Sequence, residues 1–498
     1  MQYTSTRNNQ IRVSAAQAIA SGISAEGGLF VPTEFPVITA EDLQAWAALD
    51  YKERATAVLS RYLTDFTQEE VAACCAAAYG DRFDVPAIAP LHDMGDGCHI
   101  LELWHGPTCA FKDMALQILP HLMRVSVGKT NPDEQIVILV ATSGDTGKAA
   151  LEGFKDAPNT KILVYYPVDG VSEMQRFQMI TQEGENVGVC AIRGNFDDAQ
   201  TGVKSIFTDD EVKEKLAENG MRFSSANSIN WGRLVPQIVY YISAYCDLLN
   251  QGKIKIGDPI NVVVPTGNFG NILACYYAKR MGLPVRKMIC ASNRNRILTD
   301  FFESGVYDCN RDFYTTTSPS MDILVSSNLE RLLYHLADED SDEIATLMQS
   351  LKNERKYTVS DTVFRAAGEH FAAGSADDER VAATIRAIFD RDGYLCDTHT
   401  AVAIAVYDDY RSKTGDVTPT VIASTANPYK FAPAILEALG GCDAEKPYEQ
   451  LAELKEKTGW EIPQPLGSLR DKAIRFTDLC GNDKASMQAT VYRMLNLD

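Results

Sequence analysis

The feature that most constrains this chain is a set of short runs that are apolar throughout: Ile136-Val137-Ile138-Leu139-Val140-Ala141, Ile260-Asn261-Val262-Val263-Val264 and Val421-Ile422-Ala423-Ser424. Period alone cannot separate a buried strand from a buried helix. Length, β-branching and the small or hydroxyl residues that follow argue for strands. Residues 162–166 read as a fourth. Strands apolar on both faces belong to parallel sheets that helices cover from both sides. Helical segments separate the runs. From Asn271 to Met281, for instance, Ile272, Leu273, Tyr276 and Tyr277 share one face. Alternating strand and helix predicts the α/β class, with open, mostly parallel sheets and helices on both faces.

The first ninety residues read differently. Thr67 and Glu70 form a capping box that predicts a helix through residues 71–78, stopping at Gly80, and Ser14 and Gly22 bracket a shorter one. Pro86 and Pro90 then punctuate the chain. At 498 residues, two or three domains are expected. The proposed division is a helical amino-terminal domain at 1–90, a smaller α/β domain at 91–235 and a larger one at 236–498. Residues 294–320 lack a clear period and read as a long loop over the site. The acidic run from Asp338 to Glu343 reads as a solvated helix start.

Composition narrows the partners. A formal net charge of −20 argues against nucleic acid and anionic membrane surfaces, since both demand a basic face. Met1 to Gln10 has no apolar signal core, and no apolar run approaches membrane-spanning length. A soluble, cytoplasmic chain is expected. The twelve cysteines include no C-x-x-C pair and no zinc-finger spacing, and read as reduced, mostly buried thiols. His399 and Asp397 are a weak metal pair with no third ligand near in sequence, so no metal is expected.

The chemistry concentrates in turns at the carboxyl ends of strands, where open α/β sheets bind ligands. Gly267-Asn268-Phe269-Gly270-Asn271 links a strand to a helix, so successive N–H groups and the helix's positive end converge on an anion. Thr142-Ser143-Gly144-Asp145-Thr146-Gly147 has the same form with more hydroxyls and suits a substrate carboxylate or phosphate. It is no nucleotide P-loop. That motif needs Gly where Thr142 stands and Ser or Thr where Ala149 follows Lys148. Ser424-Thr425-Ala426-Asn427-Pro428 offers either a hydroxyl for a heteroaromatic nitrogen or a plain helix cap. Lys112, in His105-Gly106-Pro107-Thr108-Cys109-Ala110-Phe111-Lys112-Asp113, lies among small and apolar neighbours. Desolvation there makes a lysine amine a better nucleophile. One such amine and two anion-binding turns are what an enzyme needs to hold a phosphorylated aldehyde cofactor covalently.

Together these residues resemble the threonine synthase family, pyridoxal-phosphate enzymes of the tryptophan-synthase-β-like fold type. Tyr3-Thr4-Ser5-Thr6-Arg7, Gly27-Gly28-Leu29-Phe30-Val31-Pro32, the Lys112 segment, the 142–147 turn, Asn227-Ser228-Ile229-Asn230-Trp231-Gly232-Arg233, Ser318-Pro319-Ser320-Met321-Asp322 and Asp397-Thr398-His399-Thr400-Ala401 occur in the family's order. The long amino-terminal part is similar to the fungal and enterobacterial branch. Asn271 stands where the family usually has Asp, Asn427 where it has His, and Cys109 replaces a bulkier apolar residue.

The resemblance implies pyridoxal 5′-phosphate carried covalently on Lys112. Gly267, Asn268, Phe269 and Asn271 would hold its phosphate and surroundings, and Thr425 would face its ring nitrogen. It implies O-phospho-L-homoserine as substrate, converted with water to L-threonine and phosphate. Thr142, Ser143, Gly144, Asp145, Thr146 and Asn230 would bind it, with Lys148 and Arg233 near its phosphate. Lys112 would remove and return the α-proton. A monomer or homodimer is expected. The generic chemistry leaves open a threonine or serine deaminase, a cysteine synthase, or a silent binding protein on the same scaffold.

Overall fold

The computed structural model describes residues 1–498 except Ser143, Gly170 and Asp498, and the side chain of Asp197. Two mostly parallel sheets dominate it. The larger runs, in spatial order, through Phe371–Ser375, Val285–Ser292, Ile260–Pro265, Thr420–Ser424, Cys98–Glu102 and Leu91–Gly95. All neighbours are parallel except the hairpin that pairs the last two. The second runs through Leu479–Gly481, Val187–Arg193, Thr160–Pro167, Gln135–Ala141 and Met221–Ser224, parallel throughout.

All four expected strands are present, each extended by one to three residues. Every residue of Ile260–Pro265 is buried, as a strand covered on both faces must be. Full burial of each such aliphatic side chain contributes about 1.5–3 kcal/mol. Sheet membership does not follow contiguous stretches of chain. The hairpin at 91–102 completes the larger sheet, and the carboxyl-terminal strand Leu479–Gly481 closes the edge of the smaller one. Pairings this distant in sequence leave no local trace.

The helix signals hold. Ser14 and Gln17 form a capping box for helix Ala15–Ser21, which stops at Gly22 with φ 76°. Thr67 and Glu70 do the same for Gln68–Ala78. Asp340 caps Ser341–Glu354, so the acidic run does open a helix. The amino-terminal region is not helical throughout. Tyr3–Ser5, Asn8–Val13 and Phe30–Pro32 form a three-stranded antiparallel sheet. Two of these strands have only three residues, too few to show a period. Residues 294–320 are not a continuous loop either. They contain helix Ile297–Ser304, whose Phe301 is buried, and the short strand Val306–Asp308. No helix among the described residues is long and apolar enough to cross a membrane. The twelve cysteines are free, and most are buried.

One close approach sets the site's geometry. Helix Asp113–Leu116, capped by Lys112, packs on helix Asp145–Phe154, which leaves the 142–147 turn. Gly153 makes this possible. A Cβ there would lie 2.0 Å from the Leu116 carbonyl oxygen, a backbone atom that cannot yield alone. Gly153→Ala is expected to destabilise the fold by about 1–3 kcal/mol through overpacking. Urea unfolding checks this: a midpoint equal to the parent's would show that the two helices part freely.

Candidate active site

The lysine loop is fastened to the end of strand Thr420–Ser424. Phe111 N–H donates to Thr425 O at 2.8 Å, Asn427 N–H donates to Cys109 O at 3.0 Å, and Ala110 and Ala426 form an isolated antiparallel bridge. Cys109 reaches this pairing with φ 58°, a left-handed conformation rare for a residue with a Cβ. Asp113 closes the loop from inside. Its oxygens accept from Thr108 N–H and Thr108 Oγ1, each at 2.8 Å. A Cβ on Gly106 would lie 2.6 Å from that side chain, so only glycine fits. Burial pushes the Asp113 carboxyl up to about 6, against the Thr108 bonds and the nearby Lys430.

Lys112 points into a closed space, its side chain 12% exposed. Nζ lies 3.3 Å from Ser320 Oγ, 3.8 Å from Asp145 Oδ2 and 5.0 Å from the centre of the Phe111 ring. Burial is the main cause that lowers its ammonium to about 8, and the positive charges of Lys430 and Arg233 add to it. Asp145 and Asp113 oppose them.

The 267–271 turn is shaped for an anion. Gly267 O accepts from Ser326 Oγ at 2.7 Å. Asn268 O accepts from Asn328 N–H at 3.1 Å and from its Nδ2 at 3.0 Å. The carbonyls are thus engaged elsewhere, while the amides of Gly267, Asn268 and Phe269 donate to no acceptor among the described residues. Phe269 adopts φ 65° at the start of helix Gly270–Met281, and its ring stacks on Phe302. Asn271 Oδ1 accepts from Tyr240 Oη at 2.8 Å and from Tyr241 Oη, while its Nδ2 is buried without a partner among the described residues. Unengaged amides and a free amide donor at a helix N-terminus, with no carboxylate in the turn, fit a phosphate group. Ser320 joins this turn to the lysine. Its carbonyl oxygen would lie 2.4 Å from a Cβ on Gly267, and its hydroxyl reaches Lys112.

The other expected site residues divide. Thr425 lies at the strand end, its carbonyl bonded to Phe111 and its hydroxyl free of any described partner. Thr142 Oγ1 accepts from the amides of Gly144 and Gly147, at 3.0 and 2.9 Å, and so shapes its own turn. Gly144 has φ 135°, and Gln175 packs where a Cβ would go. Ser143 lies outside the described residues. Thr146 sits half-buried in the first helical turn. Asn230 caps helix Trp231–Asn250, accepting from Gly232 N–H and donating to Ile19 O and Ser225 O. Lys148 is buried against Glu152 at 3.0 Å and Gln182 at 2.5 Å, which occupies its ammonium away from Lys112. Arg233 donates to Ala226 O at 2.6 Å, and its Nε is buried without a described partner. Burial lowers its guanidinium to about 10.

Sequence reasoning gave no role to Lys430 or Ser320. Lys430 is buried, with Nζ 2.7 Å from Asp145 Oδ1 and 2.9 Å from Thr108 O. Asn427 caps the short turn Pro428–Phe431 that carries it, so the cap reading of this segment holds for Asn427. Ser320 lay inside a motif noticed only as a signature. Its amide donates to His399 Nε2 at 3.1 Å, and His399 Nδ1 bonds Asp397 at 2.8 Å. That histidine and aspartate are engaged with each other and with Ser320. No cluster of three or more His, Cys, Asp or Glu among the described residues could hold a metal.

Family models match in order along the chain: threonine synthase N terminus at residues 2–79, pyridoxal-phosphate dependent enzyme at 85–425, and threonine synthase C-terminal at 400–491. A threonine synthase of Pseudomonas aeruginosa is 38% identical over 461 residues, covering 92% of this chain and 94% of that one. The chain belongs to the threonine synthase family. Within that family, a threonine synthase structure from Brucella melitensis described as bound to PLP superposes with a TM-score of 0.88 at 37% identity, covering 99% of each chain. Threonine synthase-like 1 of Macaca fascicularis is 42% identical over 434 residues, 85% of this chain but only 58% of that protein's length.

Lys112 as a free amine sets a pH dependence. Its ammonium must lose a proton before the nitrogen can attack an aldehyde. Capture of pyridoxal 5′-phosphate by the cofactor-free protein should therefore accelerate as pH rises through about 8 and level off above it. Stopped-flow absorbance checks this. A midpoint near 10.5, the ordinary lysine value, would show that the amine is solvated.

Proposed function

We propose that this protein converts O-phospho-L-homoserine and water to L-threonine and phosphate, with pyridoxal 5′-phosphate held on Lys112. The observation that carries this reading is the position of Ser320. One residue touches both the lysine amine and the anion-shaped turn, so an aldehyde on the lysine and a phosphate in the turn belong to a single small molecule. Gly267, Asn268 and Phe269 would bind that phosphate through backbone amides, Asn271 through Nδ2, and Thr425 would offer its hydroxyl to the ring nitrogen. A neutral hydroxyl there does not force the nitrogen to carry a proton.

Bound pyridoxal phosphate supplies an electron sink for negative charge developing on the substrate carbons. The protein's part is to place and move protons. Lys112 Nζ takes the proton from Cα and later returns it. A depressed ammonium suits both directions near neutral pH. Loss of a Cβ proton accompanies departure of the γ-phosphate, a proton reaches Cγ to make the methyl group, and water oxygen adds at Cβ. Arg233 is the available buried cation for the departing phosphate, since Lys148 is already paired with Glu152. The amides of Asp145 and Thr146, which open helix Asp145–Phe154, would take the substrate carboxylate.

The parent protein, given O-phospho-L-homoserine, is expected to release phosphate and threonine in equal amounts, and Lys112→Ala to lose at least ~10³-fold in turnover with no borohydride-fixable cofactor. Lys112→Ala retaining parental turnover would remove the lysine from the reaction. A keto acid formed from serine or threonine, with no phosphate release from phosphohomoserine, would replace the reaction with that of a deaminase.

A further inference from the structure

Asp145 presents a chemical problem. It is a buried carboxylate inside the turn expected to bind a substrate carboxylate, and it stands beside the amine that must act as a nucleophile. Left alone, it would repel the first and trap the second as a tight ammonium–carboxylate pair. The structure prevents both. Lys430 Nζ takes Asp145 Oδ1 at 2.7 Å, Gln175 Nε2 donates to the same oxygen at 3.1 Å, and Lys112 stands off at 3.8 Å from Oδ2. Lys430 is itself fixed, since its ammonium also donates to Thr108 O at 2.9 Å, inside the lysine loop.

We propose that Lys430 is a positioning residue that draws the Asp145 carboxylate away from Lys112, leaving the Lys112 amine free to react. This rests on the function proposed above, which gives Lys112 its task. The Asp145 side chain is then no substrate ligand. Its carboxylate organises the turn: through Gln175 it fills the space over Gly144, where a Cβ would lie 2.4 Å from the Gln175 side chain. Lys430 supplies the counter-charge that this arrangement requires.

Charges face the Lys112 amine from four directions: Asp145 on helix Asp145–Phe154, Lys430 on the turn Pro428–Phe431, Arg233 on helix Trp231–Asn250 and Asp113 on its own helix. Burial works against ionisation of Asp145, yet Lys430 and Lys112 hold its carboxyl well below the usual carboxylate range. Lys430→Met removes a like charge from near Lys112 and releases Asp145 toward it. Both effects favour the ammonium. Asp145→Asn removes the larger of the two opposing charges, Asp113 being the other, and disfavours it. A purely structural pair would not move the two variants in opposite directions.

The measurement is competitive labelling of Lys112 by acetic anhydride across pH, read by mass spectrometry on the full-length, cofactor-free chain. It is repeated as the rate of pyridoxal 5′-phosphate uptake. The parent should half-label near pH 8. Lys430→Met should half-label about one pH unit or more higher and take up the cofactor about tenfold more slowly at neutral pH. Asp145→Asn should half-label lower. The double variant should lie between them, and Lys430→Arg should stay near the parent. An unchanged half-labelling pH in folded Lys430→Met overturns the proposal. If that variant does not fold, Asp145→Asn decides alone, and failure to fall overturns it equally. A parent that labels near pH 8 but takes up no pyridoxal phosphate sinks the proposed function and leaves the charge arrangement standing.

Discussion

Two backbone hydrogen bonds hold the active region together: Phe111 N–H to Thr425 O and Asn427 N–H to Cys109 O. They join segments more than 300 residues apart in antiparallel register at the carboxyl end of a central strand. They fix where the lysine leaves the backbone, at a site whose burial depresses its ammonium. They also seat the turn that carries Lys430 against the lysine loop, so Lys430 reaches Thr108 O without a second support. The register requires Cys109 to take a left-handed conformation that costs about 1 kcal/mol or more. Asp113, bonded twice to Thr108, holds the loop in that shape from the other side.

The electrostatics around Lys112 run against those of the whole chain. The molecule carries a net charge of −20, yet around Lys112 the buried cations Lys430 and Arg233 join it against two carboxylates, Asp145 and Asp113. Such a pocket attracts a doubly anionic substrate locally while the surface stays acidic. Ser320 is held at this centre by a chain of hydrogen bonds. His399 Nε2 accepts the Ser320 amide, which requires its proton on Nδ1, where Asp397 receives it. The hydroxyl is thereby aimed at Lys112 without a further cation beside it.

What the sequence displayed was local physics. Apolar strands, capping boxes and glycine turns depend on residues within a few positions of one another, and these appear where expected. Thr142, Asn230 and Lys148 show the limit of that logic. Hydroxyls, amides and lysines have the chemistry of ligands, but the same chemistry caps helices and shapes loops, and these three residues make such scaffold bonds. Lys430 shows the converse. The neighbouring 424–428 turn draws notice, but nothing local ties Lys430 to its partners, Asp145 and Thr108, which lie about 300 residues away. The three-stranded amino-terminal sheet and the exchange of strands between the two larger sheets were hidden for the same reason.

That amino-terminal sheet is also tied to the anion turn far from the lysine. Arg331 is fully buried, and its guanidinium donates to Phe30 O at 2.9 Å, Ile229 O at 2.6 Å and Asn328 Oδ1 at 2.5 Å. Burying a guanidinium is tolerable only when its donors are satisfied. Here the acceptors come from three separate segments, two of them family motifs: 27–32 and 227–233. Asn328 passes the constraint on, because its amide and side chain grip Asn268 O in the anion turn. The adjacent Glu330 is taken by Arg7, bidentate at 2.8 and 2.7 Å, and by Thr6 Oγ1 at 2.6 Å. The first seven residues and the strand Phe30–Pro32 thus hold the phosphate-shaped turn from behind. A turn whose carbonyls are pulled outward keeps its amides facing inward whether or not an anion is present. Preorganisation of this kind lowers the ordering cost of binding. The amino-terminal segment therefore acts on the same site, through a buried arginine that bonds no carboxylate.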